Sequence, residues 1–379
     1  MNNGATSWPK APGVAEALAQ FLTCQGANAG RGTTSSRDLS TMVGLLATRQ
    51  KLAAFFGCGD PRWVTFTANV SESLNIILLG FLKEGMTVVT SSMEHNAVAR
   101  PLTLLSKRGV EVRKVPCSPR GEMDLDAFTK ALKGADLAVC THASNVCGTL
   151  MPLEELAKAC AKEGVPFVVD AAQTAGHLPL SLEGLGLAAL CFTGHKGLLG
   201  PQGTGGVVWS EDFARRVEPL ITGGTGSLSE SLDQPAQMPD KFETGTLNLP
   251  GIAGLSVAID YLSDRGLESL ARREEEICAR FLEGLSVLPV ELYGLSTTEG
   301  RTNVFALNAP GADNAAWADA LSSEGVETRP GLHCSPWAHQ TLGTFPQGCL
   351  RLSPGLFTTD DELDETLTLL DKTLHHLKP

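Results

Sequence analysis

The chain has 379 residues, 42% of them hydrophobic, which allows a large buried core and exceeds the length of one ordinary domain. Its 42 acidic residues outnumber the 30 basic ones, giving a formal charge of −12 with no Lys/Arg run, and this excludes nucleic acid as an expected partner. No apolar stretch approaches the roughly 18 residues of a membrane helix, Met1-Asn2-Asn3-Gly4 lacks the marks of a signal peptide, and the ten cysteines are scattered singly without a CxxC pair; the expectation is a cytoplasmic protein with no disulfide framework and no metal centre.

Between about residue 60 and residue 210 short β-rich runs alternate with helical stretches, the pattern of βαβ units building a parallel sheet with helices on both faces. Strands are predicted at 63–67, 87–90, 110–116, 137–141, 166–169, 188–192 and 206–209, each apolar enough to be buried on both sides. The segment 223–240 is rich in Gly, Ser and Pro without helical periodicity and reads as a long functional loop. From about residue 252 the pattern changes to long amphipathic helices such as 266–285, then short strands near 302–307 and a closing helix from residue 360. The expected organisation is a large domain over 15–255, with a mainly parallel seven-stranded sheet, and a smaller α/β domain made of 1–14 plus 256–379.

In an open parallel sheet the ligand site lies at the carboxyl ends of the strands, so the residues just after each strand carry the functional information. After 63–67 come Asn69-Val70-Ser71, which place backbone N–H groups and a hydroxyl at a helix N-terminus suited to phosphate; taken alone they are better explained by ordinary capping. After 87–90 comes His95, whose ring can lie against a planar cofactor or serve structure alone. After 137–141 comes Asn145, a potential donor to a phenolic oxygen or simply part of a turn. After 166–169 comes Asp170, an acid ending a buried strand and so in need of a cation, such as a protonated pyridine nitrogen, or else a helix cap. After 188–192 comes Thr193-Gly194-His195-Lys196-Gly197, a lysine set among glycines that permit close approach of a ligand.

Six segments in order, Glu94-His95-Asn96-Ala97, Ser144-Asn145-Val146-Cys147-Gly148-Thr149, Asp170-Ala171-Ala172-Gln173, Thr193-Gly194-His195-Lys196, Glu243-Thr244-Gly245-Thr246-Leu247-Asn248 and Arg329-Pro330-Gly331-Leu332-His333-Cys334, give the chain its family likeness. Over nearly its whole length it resembles the class V aminotransferase group, and within it the NifS/Suf-type cysteine desulfurases and selenocysteine lyases. The resemblance implies fold-type I and pyridoxal 5'-phosphate, with Lys196 forming the Schiff base, Asp170 paired with the pyridinium nitrogen and His95 stacked on the ring. It places Gln173 and Asn145 at the ring oxygen and the substrate side. Ser71, Thr193 and His195, with the backbone at Val70, would hold the phosphate, and Thr246 would reach the phosphate of the neighbouring subunit of a homodimer. Arg351 is the implied ligand of the substrate α-carboxylate, and Cys334 the nucleophile that takes sulfur from L-cysteine as a persulfide, leaving L-alanine, before passing it to an acceptor protein or thiol. Alternatives within the group are a selenocysteine lyase acting on L-selenocysteine, an aminotransferase or a cystine lyase; outside it stands a non-catalytic sulfur-relay scaffold. Three departures bear on substrate choice: Asn2-Asn3-Gly4-Ala5-Thr6-Ser7 replaces the usual Asp-Asn-Ala-Ala-Thr-Thr, Asn69-Val70-Ser71 replaces Gly-Thr-Thr, and the segment from Asn28 to Thr34 lacks the usual histidine.

Overall fold

The computed structural model describes residues 1–29 and 35–377, so the Gly30-to-Thr34 part of the histidine-less segment lies outside the described residues. Seven strands form the larger sheet: β1 (Val64–Thr67), β2 (Thr87–Ser91), β3 (Glu111–Val115), β4 (Leu137–Thr141), β5 (Phe167–Asp170), β6 (Ala189–Thr193) and β7 (Gly205–Trp209). Their order is β1-β7-β6-β5-β4-β2-β3. Only β7 runs against its two neighbours, and every other pairing is parallel.

Each predicted strand is present, with ends displaced by a residue or so. One expectation about them fails. β3 is not buried on both sides; Glu111 and Lys114 are exposed, because β3 is the sheet edge and its charged residues face water, where they also discourage pairing with another chain. The interior strands β2, β4, β6 and β7 are buried throughout, as their Val, Ala, Leu and Cys content requires. Helix Val70–Phe81 lays Leu74, Ile77, Leu78 and Phe81 into the core on one face of this sheet, and the opposite face packs against Leu52, Phe56 and Leu255 among others.

A second, antiparallel sheet follows: β8 (Glu291–Tyr293), β9 (Phe305–Asn308), β10 (Arg329–Gly331) and β11 (Cys349–Leu352), in the order β10-β11-β9-β8. Helices Leu267–Ser286, Asn314–Ser323 and Asp360–Leu377 cover it, and Phe281, Trp317, Leu350 and Leu370 form its core. A continuous helix, Leu249–Arg265, runs across position 255, so the chain passes between the two sheets without a loose linker.

The first residues tie both sheets together. Asn3 N–H donates to the Ser353 carbonyl beyond β11, Ser7 N–H to the His195 carbonyl and Ala11 N–H to the Leu199 carbonyl, at 3.0–3.1 Å. The segment 223–240 holds neither helix nor strand, as predicted.

Candidate active site

The β2, β4, β5 and β6 strands run parallel and end on the same edge of the sheet, so their following loops converge. Asp170 closes β5 at 2% exposure, with its Oδ1 accepting from Ala172 N–H at 2.9 Å. Burial raises its carboxyl, while that N–H and the Lys196 charge pull the other way. Lys196 follows β6 in a turn whose glycines are obligatory: a Cβ on Gly194 would lie 2.1 Å from Thr204 Oγ1, and one on Gly197 2.5 Å from the Ala175 carbonyl. Desolvation lowers the Lys196 amine to about 8, opposed by Asp170 and Cys334 and assisted by Arg351 and Arg329. These five groups therefore act on one another. The amine reaches partial neutrality near physiological pH, as a base or nucleophile requires.

His95 caps helix Asn96–Ser106, with its Nδ1 accepting from Ala97 N–H at 3.0 Å, so its proton sits on Nε2. Burial, then Lys196 and the nearby arginines, lower it to about 4, and the ring is neutral at pH 7. Glu94, beside it in sequence, received no role of its own from the sequence. Glu94 is fully buried between β2 and β4, accepting from Ser91 Oγ and, with both oxygens, from Thr141 N–H at 3.0–3.1 Å.

At the start of helix Val70–Phe81, Asn69 Oδ1 accepts from Glu72 N–H at 3.0 Å while Glu72 Oε2 accepts from Ala68 N–H at 2.6 Å. This reciprocal cap fixes the helix end and leaves the first-turn amides of Val70 and Ser71 directed outward. Gly205 makes the close fit possible, since a Cβ there would lie 2.8 Å from Asn69 Cα. Across the loop, Thr193 is buried and His195 Nδ1 is a buried atom with no partner. Burial, Lys196 and Lys10 lower His195 to about 4.

The second sheet brings in the cationic side. Arg329 on β10 pairs in register with Arg351 on β11. Two guanidinium groups directly opposite repel each other, and among the described residues neither has a carboxylate partner. Arg351 is 1% exposed; it donates to the Asn145 carbonyl at 3.0 Å and to Asn2 Oδ1 at 3.3 Å, and its buried Nε has no partner. Burial and Arg329 lower it to about 10. Arg351 is thus a buried cation built to meet an anion, not a surface arginine.

Cys334 is exposed, with its Sγ 4.0 Å from Arg329 Nη2. The Asn145 amide is tied to this loop: Nδ2 donates to the His333 carbonyl at 2.7 Å and Oδ1 accepts from Ser335 Oγ at 2.6 Å, leaving one N–H and one lone pair. Gln173 Nε2 likewise donates to the Gly4 carbonyl at 3.1 Å.

Lys196, Asp170, His95, Asn145, Gln173, Cys334 and Arg351 therefore converge on one region, with Val70, Ser71, Thr193 and His195 at one end of it. Thr246 stands apart. It is exposed in a groove of about 720 Å³ lined by Leu39, Val43, Leu46 and Arg49, and its loop is held by the buried Arg49–Glu243 ion pair, with Glu243 Oε1 also accepting from Phe66 N–H at 2.7 Å. Arg329 received no role from the sequence, although it opens the motif that contains Cys334; only its register opposite Arg351 exposes it.

The donor set fits pyridoxal phosphate. A buried acid stands ready for the ring nitrogen, an unpartnered His195 Nδ1 and a capped helix end suit the phosphate, and a desolvated lysine suits the aldehyde carbon.

The two sheets and this strand-end constellation define an α/β protein of fold-type I. The chain belongs to the aminotransferase class-V family, whose model matches residues 1–366 and whose members are in general pyridoxal-phosphate enzymes. It is 31% identical to a probable cysteine desulfurase of Pyrococcus abyssi, covering 100% of this chain and 94% of that one. A cysteine desulfurase of Pectobacterium atrosepticum is 30% identical, with 99% and 93% covered. The solved apo structure of a cysteine desulfurase from Thermococcus onnurineus superposes with a TM-score of 0.93 at 32% identity, over 99% of this chain and 94% of that one.

Proposed function

We propose that this enzyme is a cysteine desulfurase that converts L-cysteine to L-alanine and stores the sulfur on Cys334. The observation that carries the reading is the exposed Cys334 thiol beside Arg329, in the same site as Lys196 and the buried, carboxylate-free Arg351. A transaminase has no use for that thiol, whereas removal of sulfur from cysteine needs a nucleophile to accept it.

Pyridoxal phosphate, when bound, supplies an electron sink for charge developing on the substrate α-carbon. In this reading Asp170 faces its ring nitrogen, His95 its ring, and the Val70 and Ser71 amides with Ser71, Thr193 and His195 its phosphate, while Gln173 and Asn145 line the side of the ring oxygen and substrate. Arg351 receives the substrate carboxylate as a bidentate partner, and Arg329 adds positive charge beside it. Lys196, with its lowered amine, takes the α-proton. Cys334, beside Arg329, attacks the substrate sulfur as nucleophile; the Cys334 S–S bond forms, the substrate C–S bond breaks and its electron pair stays on carbon, which takes up a proton to become alanine. Net, one cysteine and one Cys334 thiol give one alanine and one Cys334 persulfide, which is then passed to an acceptor protein or thiol.

The assembly belongs to the same reading. Leu39, Val43 and Leu46 are about half exposed or more and follow one another at helical spacing along Ser36–Phe55, in the groove that holds Thr246. A second copy covering this stripe makes the homodimer in which Thr246 serves the partner's phosphate site. The large and small domains, 15–255 and 1–14 plus 256–379, follow the two sheets.

Alanine release from L-cysteine and from L-selenocysteine, with wild type and with Cys334→Ala, tests the assignment. The expected result is alanine from cysteine only when Cys334 is present, with the visible cofactor absorbance retained in the variant. Pyruvate as the product, or undiminished desulfuration without Cys334, overturns it; turnover of selenocysteine alone makes the enzyme a selenocysteine lyase.

A further inference from the structure

Beneath Cys334 lie two buried imidazoles, 3% and 0% exposed, that the mechanism above does not use. His333 Nδ1 is 3.3 Å from His339 Nε2, with the two rings inclined by 28° and their centroids 5.4 Å apart. Their outer nitrogens are also engaged: His333 Nε2 lies 2.9 Å from the Arg329 carbonyl and His339 Nδ1 lies 2.6 Å from Thr344 Oγ1. Burial lowers the two rings to about 3 and about 4, so both are neutral and each holds one proton.

The direction of the chain then follows from chemistry. A carbonyl only accepts, so the His333 proton is on Nε2 and its Nδ1 is bare. The proton between the rings therefore belongs to His339 Nε2, the Thr344 hydroxyl donates to His339 Nδ1, the Leu332 carbonyl also meets the His339 ring, and the Cys349 thiol lies 3.9 Å from the same His333 Nδ1. Thr344, His339, His333 and the Arg329 carbonyl form a one-way relay in which every ring nitrogen is satisfied.

The relay supports a strained turn. His333 and Cys334 are consecutive non-glycine residues at φ +50° and +59°, a left-handed conformation that L side chains adopt at a cost. The turn is clamped by Asn145 Nδ2 on the His333 carbonyl and by Asn96 N–H on the Cys334 carbonyl at 2.8 Å. Both nitrogens of the His333 ring are fixed from below, while the thiol one residue on stays exposed.

We propose that His339, acting through His333, is a positioning residue that holds Cys334 in its left-handed turn beside Arg329. The step it serves is the sulfur transfer proposed above, and the proposal rests on that reading. His333, His339 and Cys349 also place three potential metal-ligating atoms within 4.8 Å of one another. The relay accounts for the geometry better, because both imidazoles are fully hydrogen-bonded without an ion and burial pushes the Cys349 thiol up to about 12, which opposes the deprotonation a metal needs.

The test uses the cofactor-loaded enzyme with His339→Phe, which removes the donor, and His339→Gln, which keeps one. His339→Phe should lower kcat for alanine formation about fivefold to tenfold, the size of one net hydrogen bond. KM and cofactor absorbance should stay unchanged, while amide hydrogen exchange at residues 333–335 accelerates and the iodoacetamide alkylation rate of Cys334 changes. His339→Gln should recover most of each effect. Should His339→Phe fail to fold, Thr344→Val removes the far donor and should speed exchange at the same residues. Unchanged kcat, exchange and alkylation in a folded variant overturn the proposal. So does one equivalent of zinc per chain that is lost in Cys349→Ser, which makes the cluster a metal site. If wild type forms no alanine from cysteine, the desulfurase reading falls, while exchange and alkylation still decide the relay.

Discussion

Arg351 and Glu94 are both buried ionisable groups, and they have opposite destinies. Among the described residues Arg351 has hydrogen-bond partners but no counter-charge, so in the proposed reaction the substrate carboxylate would meet a cation already desolvated and held by Asn145 and Asn2. Arg351→Ala should lower kcat/KM for cysteine by about tenfold to a hundredfold, the range for hydrogen bonds to a charged group, with Arg351→Lys intermediate because it cannot form a fork; steady-state kinetics at matched cofactor content will show this. Glu94 is held instead by protein donors alone among the described residues. Desolvation raises its carboxyl to about 8, against an ordinary 4.5, despite the Ser91 and Thr141 donors. The folded state keeps a proton that the unfolded chain gives up, so this contribution to stability is complete below about pH 4.5 and is lost as the pH rises through about 8. Urea midpoints at pH 5 and pH 8 should fall further for wild type than for Glu94→Gln, whose amide does not titrate.

Among the elements, β7 shows how a strand constrains a distant loop. Its two leading glycines are bare because Asn69 and Phe192 press on them: Cβ atoms at Gly205 and Gly206 would lie 2.8 Å from Asn69 Cα and 2.6 Å from Phe192 Cζ. Gly205→Ala should therefore cost about 1–3 kcal/mol through overpacking, and should also weaken cofactor retention by shifting the capped start of helix Val70–Phe81. Chemical denaturation and the cofactor content of the purified protein measure the two effects. A motif search stops at Asn69-Val70-Ser71 and has no reason to extend to Gly205, 136 positions later than Asn69; the antiparallel pairing of β7 with both β1 and β6 brings them together.

For the whole molecule, the N-terminal segment and the apolar groove decide how the site is completed. Residues 1–11 cross from β11 to the Lys196 turn, so the altered sequence Asn2-Asn3-Gly4-Ala5-Thr6-Ser7 does structural service: Gly4 N–H donates to Ser353 Oγ at 2.8 Å, and Thr6 Oγ1 donates to the His195 carbonyl at 3.1 Å. On the proposed homodimer, Val43→Glu, placing a charge in the middle of the exposed stripe, should shift light scattering from dimer to monomer and reduce activity at low protein concentration; an unchanged mass and activity would remove Thr246 from the proposed partner role.

The strand-end residues Asp170, Asn145, His95 and Lys196 were legible from sequence because parallel strands announce themselves as short apolar runs, and whatever polar group follows each run must lie on one edge of the sheet. Cys334 and Arg351 were legible only through family likeness, since a cysteine in a loop and an arginine in a strand have no periodicity of their own. Tertiary structure alone decided the pairing of Arg329 with Arg351, the burial of Glu94 against Thr141 of β4 and the His333–His339 relay. Each of these depends on a close approach between elements remote in sequence, or on a left-handed turn, that no local pattern of side chains encodes.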